Sequence, residues 1–183
     1  QHPRSVYSLE HYNTKDKVES ILKFVTWILQ QGLESHDSGY HCGRDLLLRK
    51  NPRTITPVIQ TDDHVAGAID WARKLNNSIL PIQGPPGSGK SYTASHMILQ
   101  LVKDKKKIGI TALSHKVITS LLVKVVELAR VEDLKIKIIQ KVSLKDKQDL
   151  PWQTSTDNQE MVSSIHNFDV IAGTPFMWSL QSF

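Results

Sequence analysis

The sequence is short of the features that mark most specialised protein classes. Among its 183 residues there is one cysteine, Cys42, so no disulfide can close within the chain and no cysteine cluster can hold zinc or iron and sulfur. Reducing surroundings suit such a chain. No apolar run approaches the roughly 20 residues that span a bilayer, and residues 1–10 lack the apolar stretch of a signal peptide. The expectation is a cytoplasmic protein with no membrane partner. Charge of one sign is only modestly in excess: Lys+Arg 23 against Asp+Glu 18 gives +5, which permits a polyanionic partner without demanding one. What is present is ordinary globular material. Hydrophobic residues at 39% and charged residues at 22% exclude a wholly disordered or collagen-like chain. The length suits one domain, or one domain carrying an appendage.

Periodicity supplies the organisation. Over residues 14–31, Val18, Ile21, Leu22, Val25, Ile28 and Leu29 recur at three- and four-residue steps, the mark of an amphipathic helix. Asn13 or Thr14 can cap its start and Gly32 its end. Residues 32–56 read as a linker with one short packed segment at 44–49, and a second helix is expected over about 62–75. Strand and helix then alternate: strand 78–83, helix 90–102, strand 107–113, helix 117–129, strand 135–140, a polar stretch 143–167, and strand 169–173. Such alternation implies a parallel sheet with helices on both faces, because parallel strands need crossover connections. The expected fold class is therefore α/β, with a helical tail and linker over residues 1–56 and the α/β unit over 57–183.

Within that alternation, Gly84-Pro85-Pro86-Gly87-Ser88-Gly89-Lys90-Ser91 fits G-x-x-x-x-G-K-[ST] between a strand and a helix. Glycines let successive backbone N–H groups converge on phosphate oxygens. Lys90 would reach the β and γ phosphates, the Ser91 hydroxyl would ligate Mg²⁺, and the helix start, with Tyr92 in its first turn, would add its positive dipole end. The expected cofactors are ATP and Mg²⁺, and Lys90 and Ser91 are the candidate catalytic residues.

The residues around this loop narrow the family. Ile82 to Ser91 resembles motif I of superfamily 1 helicases, in the branch with a doubled proline. Gly109-Ile110-Thr111-Ala112-Leu113-Ser114-His115-Lys116-Val117 is similar to motif Ia of that branch, and Val170-Ile171-Ala172-Gly173-Thr174-Pro175 to motif Ic. The resemblance covers about residues 60–183 and implies the first RecA-like lobe of an ATP-driven single-strand translocase. It makes Thr111, Ser114, His115 and Thr174 candidates for contact with single-stranded nucleic acid, DNA ahead of RNA, and Gln60 a candidate for reading adenine. Tyr12-Asn13-Thr14-Lys15-Asp16 resembles the last motif of ribonuclease H-like nucleases in RecB-like fusions, and Arg44-Asp45-Leu46-Leu47-Leu48-Arg49 their connector. In such nucleases Asp16 would need three other carboxylates to bind metal.

The acidic pair that such a motor carries at the end of a later strand is not visible: Asp169 precedes its apolar run, Glu127 sits in a helical period, and Asp70 lies before the loop. By resemblance the chain is an incomplete lobe that stops before its catalytic acids, and its partners include the remainder of the motor. Two alternatives stay open: a nucleotide-gated nucleic-acid-binding module without motor activity, and a different phosphate-loop enzyme such as a small kinase. The basic cluster at 103–107 reads as a solvated helix end. Trp27 and Trp71 read as core, and Trp178 as a candidate to stack on bases.

Overall fold

The computed structural model describes residues 13–37, 39–144 and 149–180; Tyr12, which opens the nuclease-like motif, lies outside them. Four helices precede the sheet: α1 (Lys15–Gln31), α2 (His41–Leu48), α3 (His64–Lys74) and α4 (Lys90–Lys103). There follow β1 (Ile108–Ile110), α5 (His115–Val131), β2 (Ile138–Lys141), β3 (Gln153–Ser155), α6 (Asn158–Ser164), a 3-10 turn (Ile165–Asn167), β4 (Val170–Ala172) and α7 (Pro175–Trp178). The sheet has four strands in the order β1-β4-β2-β3, every neighbouring pair parallel.

Alternation along the strands divides the core into two layers. Val170 and Ala172 of β4 face Ile98 and Val102 of α4 and Ile118, Leu122 and Val125 of α5. Ile171 between them faces Met161 of α6 and Met177 of α7 on the opposite side, beside Ile139 of β2. Helices thus cover both faces, as a parallel sheet requires. The one fully buried polar side chain of this core, Gln140, is satisfied within it: its Oε1 accepts from Trp152 Nε1 at 3.0 Å and its Nε2 donates to Thr119 Oγ1 at 3.0 Å. This is a partial P-loop NTPase fold.

Several expectations need correction. Residues 78–83 do not join the sheet. Pro81 lacks an N–H to donate in mid-segment, and the Ser78 hydroxyl is taken by Asp45 at 3.2 Å. Inside the polar stretch 143–167, where periodicity assigns no element, lie β3 and α6, the latter capped by Asp157, whose carboxylate accepts from Gln159 N at 2.7 Å. The apolar stripe of α1 is not core: α1 buries no residue, and Leu29 is 81% exposed. Trp27 is half-buried against the Arg44 guanidinium, 4.8 Å from its ring.

Candidate nucleotide-binding site

The chain leaves 78–83 extended and turns sharply at Gly87 and Gly89, both at φ +82°, a left-handed conformation that strains any residue with a Cβ. Gly89 is the N-cap of α4 and makes no side-chain cap, so the first-turn N–H groups of Lys90, Ser91 and Tyr92 keep their hydrogen-bonding capacity for an anion. At Gly84 a Cβ would stand 2.5 Å from Ser88 Oγ, so a side chain there would have to push the Ser88 hydroxyl aside. Pro85, Pro86, Ser88 and Ser91 are exposed. The Lys90 ammonium folds back over the bend and donates to the carbonyls of Gly84 at 2.5 Å and Pro85 at 2.6 Å. The bend is open, its backbone is of the phosphate-cradling kind, and its cation is already drawn inward.

Beside it opens a cleft of about 730 Å³, with Gly84, Pro85, Ser88 and Lys90 on one wall and Gln60, Thr61, His64 and Trp71 on the other. Trp71, expected in the core, lines this cleft. Asp70, set aside in the sequence as an acid in the wrong order, anchors the second wall. Its carboxylate accepts from Ile59 N at 2.8 Å and from Lys74 Nζ at 2.8 Å, and Lys74 also donates to the Pro57 carbonyl at 2.7 Å. The Lys74 ammonium, followed by the Ile59 amide, holds the Asp70 carboxyl below the usual carboxylate range. The segment 57–60 is thereby tied to α3. The signal was present as an Asp-Lys pair four residues apart on a helix.

Tyr92 does not turn its ring into this cleft. The ring stands edge-on to His96 with centroids 4.4 Å apart and lines the groove between α4 and α5. Of the residues expected to touch a strand, His115 and Thr174 meet in a second cleft of about 360 Å³ at the C-terminal ends of β2 and β4. Thr111 follows β1 at the same end, and Ser114 caps α5, accepting from Val117 N at 3.3 Å. Trp178 is occupied: its indole donates to the Ile110 carbonyl at 3.1 Å, and its ring covers Gly109 so closely that a Cβ there would lie 3.0 Å from it. Lys107 likewise binds the carbonyls of His166 and Phe168, at the N-terminal end of β1.

A family model described as AAA domain matches residues 60–169, more than half of the chain. The chain belongs to the AAA domain family. No curated protein matches it. Most of the lining of the larger cleft falls inside the matched part of this AAA domain, from Gln60 through the loop to α4, while Val58 and Ile59 of the lining, like α1 and α2, precede it. The match makes the chain a helicase-like P-loop module, a kind of domain that generally uses nucleotide with Mg²⁺ and binds nucleic acid. Among the described residues no cluster of His, Cys, Asp or Glu could hold a metal by itself, and no helix is long and apolar enough to cross a membrane.

Proposed function

We propose that this chain is the ATP-binding portion of a superfamily 1 helicase lobe. Residues 84–91 hold the phosphates: backbone N–H groups of the bend and first turn donate to their oxygens, and the Lys90 ammonium neutralises their charge. Ser91, in the first turn of α4, offers its hydroxyl to Mg²⁺, which completes its shell with phosphate oxygens and water because it favours few protein ligands. The observation that carries this reading is that one cleft is lined both by the glycine bend, with Gly84, Pro85, Ser88 and Lys90, and by Gln60, so that groups suited to a phosphate tail and to a base edge share one cavity. Thr111, Ser114, His115 and Thr174 are assigned to the strand, DNA ahead of RNA. The helices before residue 57 are read as the tail of a nuclease-like unit of the RecB-like kind.

The test is binding of a fluorescent ATP analogue. Lys90→Ala should weaken it at least about tenfold, the scale of one charge-assisted contact; unchanged affinity overturns the assignment. None of the four described strands ends on an acid: β1, β2, β3 and β4 close with Ile110, Lys141, Ser155 and Ala172. ATP turnover by this chain alone is therefore expected to be negligible, and a nucleotide-gated strand-binding module stands as the second reading. Robust hydrolysis stimulated by single strands would restore the motor reading, whereas tight nucleotide binding with no affinity for oligonucleotides would point to a phosphate-loop enzyme of another kind.

A further inference from the structure

The smaller cleft holds more than the two residues that the motif resemblance assigns to it. Lys141, the last residue of β2, lines it together with His115 and Thr174, and so does Asp16 of α1. Three of these groups have hydrogen-bonding capacity to offer. The Lys141 ammonium donates to the Thr156 carbonyl at 2.6 Å and makes no ion pair among the described residues. Burial lowers its pKa, against the longer-range pull of Asp157, so the cation is partly desolvated without a directly bonded anion. His115 Nδ1 is buried with no hydrogen-bond partner, and the Thr174 hydroxyl makes no cap on α7. An oxyanion placed among them would answer all three at once.

The same cleft also holds a carboxylate. Asp16 is in the first turn of α1, and its neighbour Lys17 ties that turn to α7, its ammonium 3.3 Å from the centre of the Phe176 ring. Phe176 lines the same cleft. An incoming phosphate therefore meets a like charge held by α1, and the two compete for one cation.

We propose that this cleft is a backbone-phosphate subsite for single-stranded nucleic acid, in which Lys141 supplies the cation, His115 and Thr174 supply donors, and Asp16 is the competing anion that α1 holds over it. The proposal rests on the strand-binding reading given above and adds to it two residues of opposite effect.

The full 183-residue chain is titrated against a fluorescein-labelled oligothymidylate by anisotropy over a salt series. Lys141→Ala should weaken binding about three- to tenfold at low salt and make the plot of log K against log salt shallower by roughly 0.7, the share of one single-strand phosphate. Lys141→Arg should keep both affinity and slope, and Asp16→Asn should tighten binding about two- to fivefold. A wild-type chain that binds the oligonucleotide while Lys141→Ala keeps its affinity and slope overturns the subsite and leaves the strand-binding reading standing. A wild-type chain that does not bind overturns both. Should Lys141→Ala fail to fold, Lys141→Arg and Asp16→Asn decide: loss of affinity in the first, or no gain in the second, overturns the proposal.

Discussion

From Ile98 to Met177 the molecule is held by apolar burial, with Leu99, Leu122, Val125, Ile139 and Met161 at 0–1% exposure. Among the described residues from Asn13 to Gln83 no hydrophobic side chain is buried, and the buried ones are Arg44, Asp45 and Ser78. Asp45 and Ser78 join a polar knot with Arg53. The Asp45 carboxylate accepts from Arg53 Nη1 and from the Ser78 hydroxyl, Ser78 Oγ accepts from Arg53 N at 3.2 Å, and Arg53 Nη2 donates to the Asn77 carbonyl at 2.6 Å. Arg44 reaches the carbonyls of Ser35 and Asp37. Non-directional apolar burial makes the sheet half cooperative, whereas the first half depends on a few directional contacts and opens locally at lower free energy. The larger cleft straddles the boundary: its loop is continuous with α4 of the apolar half, and its Gln60 wall belongs to the polar one. The cleft proposed to take a nucleotide thus has lining residues from each kind of material.

The comparison breaks most visibly at Leu122. Leu122→Ala removes a fully buried side chain and should cost about 3 kcal/mol, read as a fall in Tm of roughly 10 °C; a fall within about 2 °C would show that α5 is not part of a cooperative core. Asp45→Ala should cost less, about 2 kcal/mol, because Arg53 is partly solvated and regains water when its partner goes. Its effect should also be local. Hydrogen exchange should accelerate in α2 and around residues 53–59 while β2 and β4 keep their protection, and uniform acceleration would show that the polar half is not separable. The same pair has a pH signature. The Arg53 hydrogen bond, above all, holds the Asp45 carboxyl below the usual carboxylate range, so its stabilisation is complete above about pH 4, the unfolded value, and is lost as pH falls through the still lower folded value. The acid unfolding curve of Asp45→Asn should lack that component. The smallest effect is expected at Leu29→Ser, on the exposed stripe of α1, where a change of under about 0.5 kcal/mol in urea unfolding is expected and a larger one would show that the stripe is covered.

What the sequence revealed tracks how strongly local chemistry constrains it. The bend at 84–91 was legible because its glycines, its lysine and its hydroxyl each answer a separate demand, and α4 and α5 were legible because long amphipathic periods leave little ambiguity. The three-residue edge strand β3 and the seven-residue helix α6 were not: elements so short hold fewer than two cycles of their period, too few to stand out as a pattern, and α6 buries only Met161. The extended segment 78–83 looked like a strand because Ile79, Leu80 and Ile82 are apolar, although Pro81 already argued against a central position. At the site, Gln60 was suspected by resemblance but seemed too far from Gly84 in sequence; the intervening residues are absorbed by α3, which returns the chain to the loop. Asp70 and Lys141 act through tertiary contacts with Ile59 and Thr156, which no local pattern announces.

The inward-folded lysine of the glycine bend has a further consequence. Because the Lys90 ammonium already satisfies two main-chain acceptors, any incoming anion must outcompete peptide oxygens for it. A lone phosphate or sulfate offers one such exchange, whereas a polyphosphate can repay it through many simultaneous contacts along the turn. On the proposed reading the arrangement would act as a threshold, favouring ligands by their chain of charges over small inorganic ions.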